Sequence, residues 1–136
     1  LYLDTGLYLD QNAIVTALTT SPQTVSVTHA GNVSCTDVIV TVTAGNAAIT
    51  ALTVACGAAK WSYSGTIASG KALVVDAGAG TIKYDGADAY ANFTFDAAHA
   101  LMGLFRLLPG ANSVIVTRTG GGTGSTLALE FADTYA

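Results

Sequence analysis

The sequence predicts an all-β chain, folded as an antiparallel β-sandwich of the jelly-roll kind. Three observations predict it. Apolar and β-branched residues alternate with polar ones over short runs, the period of strands with one buried face. Turn-forming Gly, Pro, Asn and Asp punctuate those runs every ~8–12 residues. Of the 136 residues, 51% are hydrophobic and only 10% charged, Thr and Val abound, and no long amphipathic helical pattern occurs. A chain of this length suffices for one domain with its own two-layer core.

The elements follow in order. Residues 1–20 read as an N-terminal strand or linker segment, and residues 21–136 as the sandwich domain. The start repeats itself, LYLD at 1–4 and again at 7–10, around Thr5-Gly6. Ala13–Thr19 is apolar and β-branched, and Ser21-Pro22 breaks it. Gln23–His29 sets Val25, Val27 and His29 against Thr24, Ser26 and Thr28. Asp37–Thr43 sets Val38, Val40 and Val42 inward, and Ala44-Gly45-Asn46 turns the chain. Ala48–Cys56 carries Leu52, Val54 and Cys56 on one face. Lys60–Ile67 carries Trp61 and Tyr63 on one face and Ser62 and Ser64 on the other. Lys71–Asp76 sets Leu73 and Val75 against Ala72 and Val74. Thr81–Tyr84, the turn Asp85-Gly86 and a strand within Tyr90–Phe95 read as a hairpin. Asp96–Leu101 is the stretch that tolerates a helical turn, with Asp96 as its cap. Three strands close the chain: Leu104–Leu108, stopped by Pro109-Gly110; Ser113–Thr119; and Ser125–Phe131, with Leu127, Leu129 and Phe131 on one face. Gly120–Gly124 between the last two reads as a hairpin tip, where glycine supplies positive φ.

This closing stretch carries a resemblance. A strand ending in Leu108-Pro109-Gly110, then Asn112, a β-branched strand, a glycine-rich tip and a final strand resembles the end of bacteriophage distal tail proteins of siphovirus-type tails. The likeness is to their C-terminal, galectin-like β-sandwich domain. His29-Ala30-Gly31-Asn32, Val38–Thr43, Lys71-Ala72-Leu73-Val74-Val75-Asp76 and Tyr84-Asp85-Gly86 extend it, so that it covers roughly Thr24 to Phe131. The ring-forming domain that precedes this one in the family has no counterpart in these residues. The resemblance implies a structural virion protein of the tail tip, assembled in the host cytoplasm. It would act through contacts with itself and with other tail proteins, and as an attachment platform. It implies no enzyme activity and no cofactor.

The charge balance fits such a role. The net charge is −4, and the five cationic residues, Lys60, Lys71, Lys83, Arg106 and Arg118, are scattered. That argues against nucleic acid and against a polybasic membrane patch. No apolar run approaches the ~18–20 residues of a membrane span. The sequence does not begin with Met and carries no secretory leader pattern at its start, so the expectation is a processed chain or a fragment. A surface covered by Thr, Ser, Ala, Gly and Asn is readily desolvated, and much of it is expected to be interface.

Residues able to carry chemistry are few. Trp61, Tyr63 and Tyr90 are the aromatics that would stack on a sugar, and host glycan is the ligand of the alternative reading, a carbohydrate-binding module for adsorption. Core packing is the competing role for Trp61. The polar set with which galectins hold sugar has no place beside it, since only Lys60 and two serines are near. A third reading is a self-assembling filament or surface-layer subunit, adding its N-terminal strand to a neighbour's sheet. His29 and His99 are the histidines, and no Gly-x-Ser-x-Gly elbow accompanies them. Asp76, Asp85, Asp88 and Asp96 fall in one window but match no calcium loop. Asp85 is explained as a turn former and Asp96 as a cap. Gly120–Gly124 lacks the lysine of a phosphate loop. Cys35 and Cys56 either form one disulfide, closing a loop of about 20 residues worth ~3 kcal/mol, or stand as two thiols. Their spacing is not that of a metal site. Asn32-Val33-Ser34 and Asn92-Phe93-Thr94 satisfy the glycosylation sequon.

Overall fold

A computed structural model describes residues 10–31, 38–56, 59–95 and 107–133. Among these residues the alternating runs become eleven strands. They are β1 (Asp10–Ala17), β2 (Gln23–His29), β3 (Ile39–Thr43), β4 (Ile49–Cys56), β5 (Ala59–Tyr63), β6 (Ala72–Asp76), β7 (Thr81–Tyr84), β8 (Ala87–Asp88), β9 (Phe93–Phe95), β10 (Gly110–Gly120) and β11 (Thr126–Asp133). A 3-10 turn, Tyr90–Asn92, precedes β9. The strands form two antiparallel sheets packed face to face. One has the order β1-β11-β3-β6-β7-β8, the other β2-β10-β4-β5-β9. The protein is an all-β sandwich.

Side-chain alternation decides which face of each strand is buried. Val25 and Val27 of β2, Val40 and Val42 of β3, Leu52 and Val54 of β4, and Leu73 and Val75 of β6 lie in the core, joined by Leu127, Leu129 and Phe131 of β11. Burying each such aliphatic side chain favours folding by about 1.5–3 kcal/mol. Val38, Val114, Val116, Trp61, Ile49 and Ile67 complete the layer between the sheets. A shift of one residue in any strand would turn its apolar set to solvent, so the burial pattern also sets the register.

The order of strands corrects two expectations. Gly120–Gly124 is not a hairpin tip. β10 is flanked by β2 and β4, and β11 by β1 and β3. With both edges of β10 already hydrogen-bonded, the chain must cross to the other sheet, and the glycines carry it there. Gly120, Gly121, Gly122 and Gly124 all have positive φ. The turn Asp85-Gly86 joins β7 to the two-residue β8, not to a strand within Tyr90–Phe95. Phe93–Phe95 crosses instead to the second sheet and pairs with β5, Trp61 opposite Phe95 and Tyr63 opposite Phe93.

Of the segment 1–20, residues 10–17 form β1, paired with β11 from Asp10↔Asp133 to Ala17↔Thr126. The sheet therefore takes in part of the stretch set apart as strand or linker. The helical turn expected at Asp96–Leu101 lies outside the described residues. So does most of the strand expected at Leu104–Leu108, where Leu107 is fully buried and Leu108 is exposed.

Candidate functional site

The densest polar arrangement among the described residues is where the β10–β11 crossover meets the β3–β4 turn. The Ser125 hydroxyl is fully buried. It donates to Gly121 O at 2.9 Å and accepts from the Gly45 N–H at 3.0 Å. Asn46 and Thr123 exchange two bonds, and the Gly121 N–H donates to Ala48 O. Gly45 is glycine for a steric reason. A Cβ there would collide with Thr123 O and sit 2.6 Å from Ser125 N. Arg118 closes the other side of the crossover. Its guanidinium donates to Leu18 O and Gly120 O, and its backbone N–H and C=O both bond the Ser21 hydroxyl at 2.9 Å. These groups tie both sheets to the β1–β2 connection. They form a structural clamp, since the bonding side-chain atoms of Ser125, Asn46, Arg118 and Ser21 all meet backbone partners, while the Arg118 Nε–H is buried without one.

A second cluster holds the start of β10. The Asn112 side chain accepts from the Leu108 N–H at 2.9 Å and donates to Leu108 O at 2.8 Å and Gly110 O at 3.1 Å. A side-chain amide thus does for the Leu108-Pro109-Gly110 turn what a neighbouring strand's backbone would do. Proline has no N–H to contribute, and Gly110 takes φ 92°.

The three aromatics of the alternative, sugar-binding reading part company. Trp61 and Tyr63 are buried, at 1% and 4% exposure. The Trp61 ring packs on Phe93 at 5.2 Å between centroids. Its indole N–H is buried without a hydrogen-bond partner. Neither ring offers a face to a ligand, because both occupy inward positions of β5. Burial pushes the Tyr63 phenol up, Tyr84 adds to the rise, and a hydrogen bond with Asn92 opposes it. Tyr90 alone stands out from the surface, at 47% exposure, with its hydroxyl near Gly80 O.

The remaining candidates are dispersed. His29 is buried on β2 and meets Phe131 edge-on at 6.3 Å. Asp76 accepts from the Ala79 N–H in a tight turn. Asp85, with φ 50°, pairs with Lys71 at 3.3 Å. Asp88 pairs with Lys83 at 2.6 Å and raises the lysine's pKa. Both pairs are exposed and contribute little to stability. Among the described residues, no three His, Cys, Asp or Glu side chains gather as a metal site would require. No described helix is long and apolar enough to cross a membrane. Cys56 is buried on β4, and as a thiol its pKa is pushed up to about 11 by desolvation. Cys35, its expected disulfide partner, lies outside the described residues, as do His99, Asp96 and Asn32. Asn92 lies exposed in the 3-10 turn.

Sequence reasoning missed Ser125, Arg118, Asn46 and the side-chain role of Asn112. The signal for Asn112 was present in its place two residues after Pro109-Gly110, where Asn habitually bonds nearby backbone. The other three act across the sandwich between residues about 80 to 100 apart, a separation that no local pattern reveals.

Fold and clamp together define an all-β sandwich whose clustered polar groups serve its own architecture. No family model, curated protein or solved structure matches the chain.

Proposed function

We propose that this chain is a structural protein of a bacteriophage virion, a component of the tail tip of the distal tail (baseplate hub) kind. It works by assembly with copies of itself and with other tail proteins, and as a platform for host attachment. One observation carries the reading. The order β1-β11-β3-β6 in one sheet over β2-β10-β4-β5 in the other pairs the first and last strands, and the chain crosses between sheets at each step from β1 to β4 and again from β10 to β11. This order supports reading the sandwich as a jelly roll, an architecture common in viral structural domains and in lectins. Of the strands that carry the resemblance, β10 and β11 sit within the interior of each sheet rather than at an edge.

The exterior supports assembly. The outward residues of the five-stranded sheet are mainly hydroxyl-bearing or small: Thr24, Ser26 and Thr28 on β2, Thr117 and Thr119 on β10, Thr53 on β4. Such surfaces bring few like charges together on contact, and their hydroxyls can exchange water for hydrogen bonds across it. Fold analogy alone does not establish a role, so the reading stands or falls on location. Immunogold electron microscopy of virions, with antibody raised against this chain, is expected to place label at the distal end of the tail. Label on the capsid or along the tail shaft, or virions without label, would overturn the reading.

A further inference from the structure

Among the described residues, the two sides of the sandwich end differently. On one side the sheets finish in β8 and β9, of two and three residues. Edges so short present few unpaired backbone groups, which is one way proteins blunt them. On the other side the sheets finish in β1 and β2, of eight and seven residues. The connection 18–22 between these strands is short and keeps both edges on that side. From Gln23 to Thr28, β2 carries no charge, no proline, no glycine and no bulge, so none of these edge-protecting devices is present in it.

The sequence of this edge reads the same in both directions. Thr24-Val25-Ser26-Val27-Thr28 is a palindrome about Ser26. An antiparallel pair of two such strands, centred on Ser26, places Thr24 opposite Thr28 of the other copy and Ser26 opposite Ser26. Thr24, Ser26 and Thr28 are exposed, while Val25 and Val27 point into the core. The hydroxyl pairs would therefore meet on the outer face and the valine pairs on the inner one. Both are favourable cross-strand pairings. On the outer face of the neighbouring strand lie Ile115, Ser113 and Ala111, opposite Thr24, Ser26 and Thr28, so nothing charged flanks the seam. A two-fold axis perpendicular to the sheets returns each layer to its own layer and reverses strand direction, as antiparallel pairing requires.

We propose that the chain forms a two-fold dimer by pairing β2 with β2 of a second copy, extending the five-stranded sheet across the axis. The occupant is a second copy, not another protein, because the edge is complementary to itself. This inference stands on the edge geometry and not on the virion reading. It is tested on the purified chain in solution, so failure of one leaves the other untouched.

The test is sedimentation velocity of the full 136-residue chain from micromolar to millimolar concentration, with Ser26→Lys and Ser26→Glu beside it. The wild type is expected to reach twice its 13.7 kDa mass as concentration rises. Either variant brings like charges face to face at the axis and should weaken the dimer by at least about tenfold. An equimolar mixture of the two should restore a mixed dimer. Thr117→Lys, on the outer face of β10 away from the edge, should dimerise as the wild type does. Amide exchange of residues 24–28 in the unmodified chain should slow as the dimer forms, a readout that needs no variant. A wild type that stays monomeric throughout, including one that captures only a strand from a different protein, would overturn the proposal. So would a dimer indifferent to Ser26→Lys, or one without protection at residues 24–28.

Discussion

Asn46 and Thr123 exchange two hydrogen bonds. The Thr123 N–H donates to Asn46 Oδ1 and the Asn46 N–H donates to Thr123 O, each at 2.9 Å. One residue lies in the β3–β4 turn and the other in the crossover between sheets, 77 positions apart. The pair fixes where the chain leaves one layer and enters the other. Asn46→Ala removes the side-chain half of it and leaves the Thr123 N–H to water, since both residues are exposed. The expected loss is about 0.5–1.5 kcal/mol, read as a lower urea midpoint with unchanged slope. Gly45→Ala next to it should cost more, about 1–3 kcal/mol, because its Cβ meets backbone that cannot swing aside.

That crossover also marks the limit of what the amino acids disclose locally. The inward sets of β2, β3, β4, β6 and β11 were legible because a period of two is imposed residue by residue. Trp61 and Tyr63 were legible as sharing a face, though not as to which way that face points. Strand partnership is a different kind of information. Gly120–Gly124 supplies the positive φ values of a reversal whether the chain turns back beside β10 or leaves for the other sheet. Only the occupation of both edges of β10, by β2 and β4, decides between them. In the same way Asp85-Gly86 announced a turn, but the strand after it is the two-residue β8, too short to carry a periodic signal.

Asn112 tests how a resemblance motif works physically. Its amide N–H groups point at Leu108 O and Gly110 O while its oxygen receives the Leu108 N–H. Asn112→Asp keeps the acceptor and turns the donor into a second anionic oxygen facing two carbonyls. The change should destabilise by about 1–3 kcal/mol at neutral pH. The introduced carboxyl would have its pKa raised in the folded state, because only its protonated form can donate. The variant should therefore regain stability relative to wild type as pH falls through that raised pKa. Denaturation midpoints of both proteins between pH 7 and 3 check this, and a constant gap would count against the donor role.

Cys56 gives a second pH dependence, at the alkaline end. In the reduced chain its thiol ionises near 9.0 when unfolded, and burial holds the proton up to about 11 when folded. Between those values the unfolded state has released a proton that the folded state still binds, so stability falls as pH rises through that window. Cys56→Ala removes this contribution. Chemical denaturation with reductant present, at intervals from pH 8 to 11, should show a shallower decline in the variant than in the wild type.

Trp61 decides between packing and recognition. At 1% exposure and against Phe93, the ring is part of the core, and its burial leaves the indole N–H without a partner. An unpaired buried donor costs about 1–3 kcal/mol, which the packing of a large aromatic side chain must exceed for the residue to sit there at all. Trp61→Ala should destabilise by about 3–5 kcal/mol. Trp61→Phe removes the unpaired donor together with part of the ring, so it should cost much less. As the single tryptophan, Trp61 reports on itself. Its emission should be blue-shifted and resist acrylamide quenching until the chain unfolds, and no glycan should change it. Ready quenching in the native protein, or a spectral shift with a saturating sugar, would mean that the ring faces solvent. Tyr90, exposed and remote from this packing, is where any stacking contact with a ligand should then be sought, by Tyr90→Ala on a glycan panel with Trp61→Phe as the control.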